Sequence, residues 1–272
     1  MSILPRLIAT DLDGTLTRPD GSISERTSRA LAAATEAGAV VVLVTGRPVR
    51  WLTRIYGYLT EPYVGVCANG AVSYDPSSDE ILTACYIPAG GVRSAVDRIR
   101  ADVPGTTFAA EVDGSRRMIH EAAYPYRYLA EDPDVSAATL DEIATVPAVK
   151  LLVRANGWDA DALTGAVRSA VGPALETTHS SPNGLVELSA PGVTKATGLA
   201  AYAQTLGLGP DDAIVFGDMP NDLPMFEWVA TGSPLRAVAV ANAHPSVLAA
   251  AGDVTAANTD DGVADYLERL LS

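Results

Sequence analysis

Three apolar runs in this chain end abruptly in polar chemistry. Leu7-Ile8-Ala9 passes through Thr10 into Asp11-Leu12-Asp13-Gly14-Thr15, Val40-Val41-Val42-Leu43-Val44 into Thr45-Gly46-Arg47, and Ala213-Ile214-Val215-Phe216 into Gly217-Asp218-Met219-Pro220-Asn221-Asp222. Short, nearly unbroken apolar runs of this kind are what strands buried on both faces of a parallel sheet look like. Helical periodicity fills the intervals. Ser24 is placed to cap a helix running through Ala30 and Ala34 to a stop at Gly38, a second helix is expected from about Val49 to Tyr58, and a strand from Tyr63 to Ala68. Strand, helix, strand, helix, strand predicts right-handed parallel crossovers. The same grammar returns near the end, with a helix from about Thr194 to Leu206, the Ala213 strand, a short helix near Leu223 to Trp228, a strand at Ala237 to Val240, and helices near Pro245 to Ala250 and Asp261 to Leu270.

Between these halves the texture changes. Strand-like Thr106 to Ala110, Val149 to Val153 and Leu185 to Leu188 are interleaved with helical patterns at about Val92 to Asp102 and Asp159 to Val171. The expected fold class is therefore α/β, a Rossmann-like doubly wound parallel sheet with an α+β domain inserted into it: core at 1–85, cap at 86–189, core again at 190–272. Glu131 to Val135 reads as an exposed connection.

Open parallel sheets place their chemistry in the crevice beyond the carboxyl ends of the strands, which is where all three polar clusters fall. Two carboxylates as close as Asp11 and Asp13 repel each other, so they imply a bound cation, a shared proton, or a division of labour between an ionised and a neutral acid. Lys195, just before a helical pattern, sits where the helix dipole disfavours a cation, which points to a use for it. Asn69 and Gly70 follow the Tyr63 strand, again at its end.

Taken together, DLDGT at Asp11, the VTGR ending in Thr45, Gly46 and Arg47, Lys195, and GDMPND from Gly217 to Asp222 resemble the four motifs of the haloacid dehalogenase (HAD) superfamily, and within it the Cof-type phosphatases of subfamily IIB, whose inserted cap is of the C2 type. Asn69-Gly70-Ala71, Val238 to Ala243 and Asn258 to Val263 look like that group as well. One departure is small: the group often has Gly where Met219-Pro220 begins its loop.

The resemblance implies a phosphatase that passes its phosphoryl group through Asp11. Asp13 would protonate the leaving alkoxide and then take a proton from water, a role requiring an environment, expected from partial burial and a neighbouring carboxylate, that keeps it protonated. Thr45 and the Gly46 backbone would bind phosphate, and Lys195 would balance its charge. Asp11, Asp218 and the backbone carbonyl of Asp13 would ligate Mg²⁺, Asp222 would orient a bound water, and Asn221 would do likewise or donate to phosphate. Arg47, Asn69 and Gly70 are candidate substrate contacts. Electrostatics independently favours a metal. A carboxylate about 4 Å from one phosphate charge is repelled by roughly 4 kcal/mol at an effective dielectric near 20, more than one lysine comfortably offsets. A phosphomutase, or a module that only binds a phosphorylated ligand, are the alternatives.

Composition narrows the partners. With a net charge of −14 over 272 residues, nucleic acid and anionic membranes are disfavoured, and the global field repels phosphates, so local cations must create the pocket. No apolar run approaches a membrane span, the N-terminus does not read as a signal peptide, and cytoplasmic residence is the default expectation. Cys67 and Cys85 are expected as small core residues. Arg116, Arg117 and the Tyr124-Pro125-Tyr126-Arg127-Tyr128 cluster are the cap's candidates for specificity contacts, while His120, His179 and His244 carry no partner pattern. The expected substrate is a small phosphorylated metabolite, with sugar phosphates, phosphoglycerates, flavin mononucleotide and pyridoxal phosphate all open.

Overall fold

The computed structural model describes residues 4–125, 132–179, 184–233 and 236–272. The first core segment runs β1 (Leu7–Thr10), α1 (Glu25–Glu36), β2 (Val40–Val44), α2 (Leu52–Tyr56), β3 (Val64–Cys67), β4 (Val72–Asp75) and β5 (Glu80–Ala84). The inserted segment holds α3 (Ala89–Asp102), β6 (Thr106–Val112), β7 (Arg117–His120), β8 (Val135–Ala137), α4 (Leu140–Ile143), β9 (Lys150–Ala155), α5 (Ala160–Val171), β10 (Glu176–Thr178) and β11 (Leu185–Ser189). The chain then returns through α6 (Lys195–Thr205), β12 (Ala213–Gly217), α7 (Leu223–Ala230), β13 (Ala237–Val240), α8 (Pro245–Ala250), β14 (Asp253–Thr255) and α9 (Gly262–Leu271).

Two sheets result. The core sheet has the order β14-β13-β12-β1-β2-β3-β4-β5, parallel from β14 through β3 and antiparallel at β4 and β5. β1 lies at its centre with Leu7, Ile8 and Ala9 fully buried, which is why that stretch is apolar throughout. The strand order turns back between β1 and β12, the kind of switch point at which such sheets bind ligands. The inserted sheet, β10-β11-β9-β6-β7-β8, is antiparallel apart from the β7/β8 pair and carries its own core around Ile99, Phe108, Leu151 and Leu163.

Most expected elements are found within a residue or two. Ser24 caps α1 by accepting from the Thr27 N–H, and Thr194 caps α6 through a reciprocal box with Thr197. The 49–58 helix is shorter than its periodicity suggests, a 3₁₀ turn at Val49–Trp51 followed by α2. Asn69 and Gly70 turn the chain into the β4/β5 hairpin, the plain reading of that pair, whereas β7, β8, β10 and β14 were not expected as strands; they are short or edge-placed, and the six residues of β8 and β10 offer too little alternation to read. Cys67 is buried as expected, but Cys85 is exposed. Among the described residues, no helix is long and apolar enough to cross a membrane.

Candidate active site

β1 and β12 lie side by side in parallel, and the Asp11 N–H still donates to the Phe216 carbonyl at 3.0 Å before the two chains diverge. This delivers Asp11 and Asp218 to the same crevice. The Lys195 ammonium, 1% exposed at the start of α6, reaches Asp11 Oδ1 at 2.5 Å and Asp222 Oδ1 at 2.6 Å. The other oxygen of Asp222 accepts the backbone N–H groups of Asp218 and Met219 at 2.9 and 3.0 Å, so its loop is tied back onto its own side chain. Thr15 donates to Asp218 Oδ1 at 2.9 Å. Gly14 adopts a positive φ of 82°, and a Cβ there would collide with the Asp218 carboxylate, so both backbone shape and space demand glycine. Asn242 donates to the Gly14 carbonyl at 2.8 Å, which is how the C-terminal stretch contributes: it braces the loop after β1.

Burial raises the affinity of Asp11 for a proton well above that of an ordinary carboxylate; Lys195 opposes this, and Asp222, Asp218 and Asp13 add to it. Burial and the nearby Asp222 likewise push Asp218 up to about 7, against the Thr15 hydrogen bond and Lys195. For Lys195, burial disfavours the charge, but Asp11 and Asp222 outweigh it and hold the ammonium above its ordinary range. One cation thus faces carboxylate oxygens of Asp11, Asp218 and Asp222 that all lie within 4.8 Å of one another. Three hard oxygen donors short of positive charge fit a divalent cation such as Mg²⁺. Asn221 Oδ1 agrees with this, being buried with no hydrogen-bond partner among the described residues, an acceptor suited to a bound water.

Asp13 departs from expectation. Its side chain is 53% exposed rather than partly buried, and Arg47 grips it in a bidentate fork, Nε to Oδ2 at 2.8 Å and Nη2 to Oδ1 at 2.6 Å. The expected shielding is absent because β1 ends at Thr10 and the chain turns outward before Asp13. Thr45 is fully buried, its hydroxyl accepting from the Arg47 N–H at 3.0 Å. Asn69, in a left-handed turn, bonds through its N–H to the Thr45 carbonyl, and Gly70 packs so tightly on Thr194 that no Cβ fits. The loops after β2, β3 and β12 are therefore locked together around Asp11.

Sequence reasoning missed the contribution of the inserted sheet. Lys150 and Glu187 pair at 2.8 Å with side chains 3% and 5% exposed. Lys150 also donates to the Gly46 carbonyl at 2.6 Å, and Glu187 Oε2 accepts from Asn69 Nδ2 at 3.0 Å, while Asn69 Oδ1 accepts from Asn221 Nδ2 at 3.1 Å. Arg50 bonds both oxygens of Glu111, and Asp132 Oδ2 accepts from Arg50 Nε at 3.3 Å and from Trp51 Nε1 at 3.2 Å. Asp132 is thus a docking residue and not merely part of an exposed connection. The available signal was a charge standing inside an apolar strand, as in Val149-Lys150-Leu151 and Val186-Glu187-Leu188.

The other cap candidates lie elsewhere. Arg116 pairs with Asp79 on the β4/β5 hairpin, Arg117 with Asp113, and Tyr124 packs beside Met118 and Leu152. Tyr126, Arg127, Tyr128 and Glu131 fall outside the described residues. His179 pairs with Asp161, and His244 caps α8. A cavity of about 640 Å³ opens from Asp11, Asp13, Gly46, Arg47 and Asn221 toward Trp51 and Leu185.

An aspartate at the end of the central strand of a parallel sheet is thus bridged by a buried lysine to an acidic loop and roofed by an inserted α+β domain. The chain belongs to the haloacid dehalogenase-like hydrolase family, whose profile it matches over residues 8–267. It is 29% identical to 5-amino-6-(5-phospho-D-ribitylamino)uracil phosphatase YitU of Bacillus subtilis (strain 168), covering all of both chains. It is 27% identical to pyridoxal phosphate phosphatase YbhA of Escherichia coli (strain K12), over 96% of this chain and 97% of the other. Among solved structures, a haloacid dehalogenase-like hydrolase from Bacteroides thetaiotaomicron superposes with a TM-score of 0.76 at 26% identity, covering 98% of this chain and 99% of that one.

Proposed function

We propose that this protein is a Mg²⁺-dependent phosphatase that hydrolyses small phosphorylated metabolites through a phosphorylated Asp11, with the core formed by residues 1–85 and 190–272 and the cap by 86–189. The observation that carries the reading is the buried Asp11–Lys195–Asp222 bridge beside Asp218, at one end of the cavity. The two named relatives support it, one acting on a phosphorylated uracil derivative and the other on pyridoxal phosphate.

Each residue then has a task. Asp11 attacks phosphorus, forming its own O–P bond as the bond to the leaving oxygen breaks, and Lys195 keeps the carboxylate charged and aimed. The Thr45 hydroxyl, accepting from the Arg47 N–H, keeps its hydrogen to donate to a phosphate oxygen. Asp13 gives a proton to the leaving alkoxide and takes one from the water that then attacks phosphorus and frees Asp11. For this the Arg47 fork opens, which turns Arg47 toward the incoming anion. Asp11, Asp218 and the Asp13 carbonyl would hold Mg²⁺, with Asp222 supporting them, and the ion would neutralise charge between nucleophile and phosphate. Phosphate release from a panel of phosphorylated metabolites, with Mg²⁺ and with chelator, tests the reading; release indifferent to chelator would overturn the metal's part in it.

Two further outcomes are expected. The folded-state pKa of Asp218, about 7, lies above its ordinary value of 3.8, so the metal-free native state binds more protons than the unfolded chain between those limits. Its contribution to stability is therefore complete at low pH and lost as pH rises through that window. Mg²⁺ competes with this proton, so the rise in Tm on adding Mg²⁺ should be larger at pH 8 than at pH 6; a pH-independent rise would contradict it.

Lys150→Met removes the donor to the Gly46 carbonyl and the ion pair with buried Glu187. Charged hydrogen bonds contribute about 1.5–3 kcal/mol, so kcat/KM should fall by about tenfold or more, measured alongside thermal unfolding. An unchanged kcat/KM in a folded variant would show that the cap does not position the phosphate-binding turn.

A further inference from the structure

The inserted domain reaches the acidic loop through three buried side chains in series. Glu187 of β11 accepts from the Lys150 ammonium on Oε1 at 2.8 Å and from Asn69 Nδ2 on Oε2 at 3.0 Å, and Asn69 Oδ1 in turn accepts from Asn221 Nδ2 at 3.1 Å. Direction matters in such a chain. A carboxylate paired with an ammonium only accepts, whereas a primary amide has one accepting and one donating end. Glu187 therefore draws the Asn69 NH₂ toward itself, which leaves the Asn69 carbonyl oxygen facing Asn221, and Asn221 must turn its own NH₂ there. The end left over is Asn221 Oδ1, buried and without a hydrogen-bond partner among the described residues. Asn221 lines the same cavity as Asp11 and Asp13.

We propose, resting on the metal-dependent phosphatase reading, that Glu187 is a positioning residue that sets the polarity of the asparagine pair, so that Asn221 meets the site as an acceptor and holds a cation-bound water rather than the phosphate. A phosphate dianion offers only acceptors, so Asn221 Oδ1 would repel it. A water on Mg²⁺ is the reverse, a donor whose protons the ion makes more acidic. Burial enforces the order: Glu187, Asn69 and Asn221 are all buried, and an amide turned the wrong way among them would set donor against donor and acceptor against acceptor. A strand of the inserted domain thereby fixes which atom of the acidic loop faces the reaction.

Glu187→Gln keeps the shape of the side chain and inverts the series. Lys150 cannot accept, so it keeps the single oxygen of the new amide, whose NH₂ then faces Asn69; both asparagines turn over, and Asn221 presents N–H to the site. Adding Asn69→Asp to that variant restores the order, because a carboxylate at position 69 accepts from both neighbours and turns Asn221 back. The double variant has the net charge of wild type, and Asp tolerates the left-handed φ of 57° at that position as Asn does. The test is Mg²⁺ affinity by isothermal titration calorimetry on the substrate-free proteins, with thermal unfolding alongside. Glu187→Gln should weaken Mg²⁺ binding by about 10–100-fold, the range seen when a group supporting a metal's ligands is lost, and the double variant should recover most of it. If Glu187→Gln alone does not fold, Asn69→Asp should restore folding and Mg²⁺ binding together. Unchanged Mg²⁺ affinity in Glu187→Gln, or a double variant that fails to fold or binds Mg²⁺ as weakly as the single one, would overturn the relay while leaving phosphate release by wild type standing. No binding of Mg²⁺ to wild type would overturn the relay and the metal's part in the reaction together.

Discussion

Asp11→Asn is expected to lower kcat by at least about 10⁴-fold on every ester the wild type hydrolyses, the scale on which removal of a covalent nucleophile acts. The amide has the shape of the carboxylate but cannot attack phosphorus. The fold should survive. Asp11 is buried among Asp218 and Asp222, and removing its charge relieves repulsion that already favours its protonated form, while Lys195 retains Asp222 as a partner at 2.6 Å. A variant that is folded by circular dichroism yet inactive is the expected combination, with phosphate release as the readout. Turnover within tenfold of wild type would remove Asp11 from the mechanism.

Lys195→Met should be nearly as damaging, for a different reason. Without its ammonium, Asp11 and Asp222 are left buried and facing each other, and breaking such a pair costs about 3–5 kcal/mol when the remaining charges cannot protonate. Asp11 can protonate, so the cost should depend on pH. In the variant, the proton affinity of Asp11, already raised by burial, rises further without the ammonium, which makes the protein most stable in acid and progressively weaker as pH rises toward neutrality. Catalysis suffers through the same change, since a protonated Asp11 is no nucleophile; a loss in kcat of about 10²–10³-fold at pH 7 is expected. Thermal unfolding and kcat measured from pH 5 to 8 check both arms. Equal stability at both ends of that range would show that Lys195 does not set the charge of Asp11.

Why the catalytic end was legible and the cap end was not follows from where the information lies. A strand buried on both faces must be an unbroken apolar run, so the polar residues that close it, Asp11, Thr45 and Asp218, stand out in one dimension. Their convergence needs only parallel pairing of neighbours, which the alternation of strands and helices dictates. Arg47 with Asp13, Lys150 with Gly46, and Arg50 with Glu111 are 34, 104 and 61 residues apart, and no local pattern encodes such pairs. Asp13 is not the partly buried acid expected of it because β1 ends at Thr10 and the chain turns at Leu12, before Asp13 is reached. Arg116 was singled out as a cap cation for specificity contacts, but it pairs with Asp79 of the β4/β5 hairpin, 37 residues away in sequence.

The central claim is that Asp11 carries the phosphoryl group. Rapid acid quench of the enzyme during turnover with Mg²⁺, followed by mass spectrometry of the peptide containing residues 7–17, tests it most directly. A phosphoryl adduct on Asp11 that appears in wild type, decays with turnover and is absent in Asp11→Asn is the predicted result. Sustained phosphate release with no adduct on that peptide at any time, or an adduct on another residue, would contradict it.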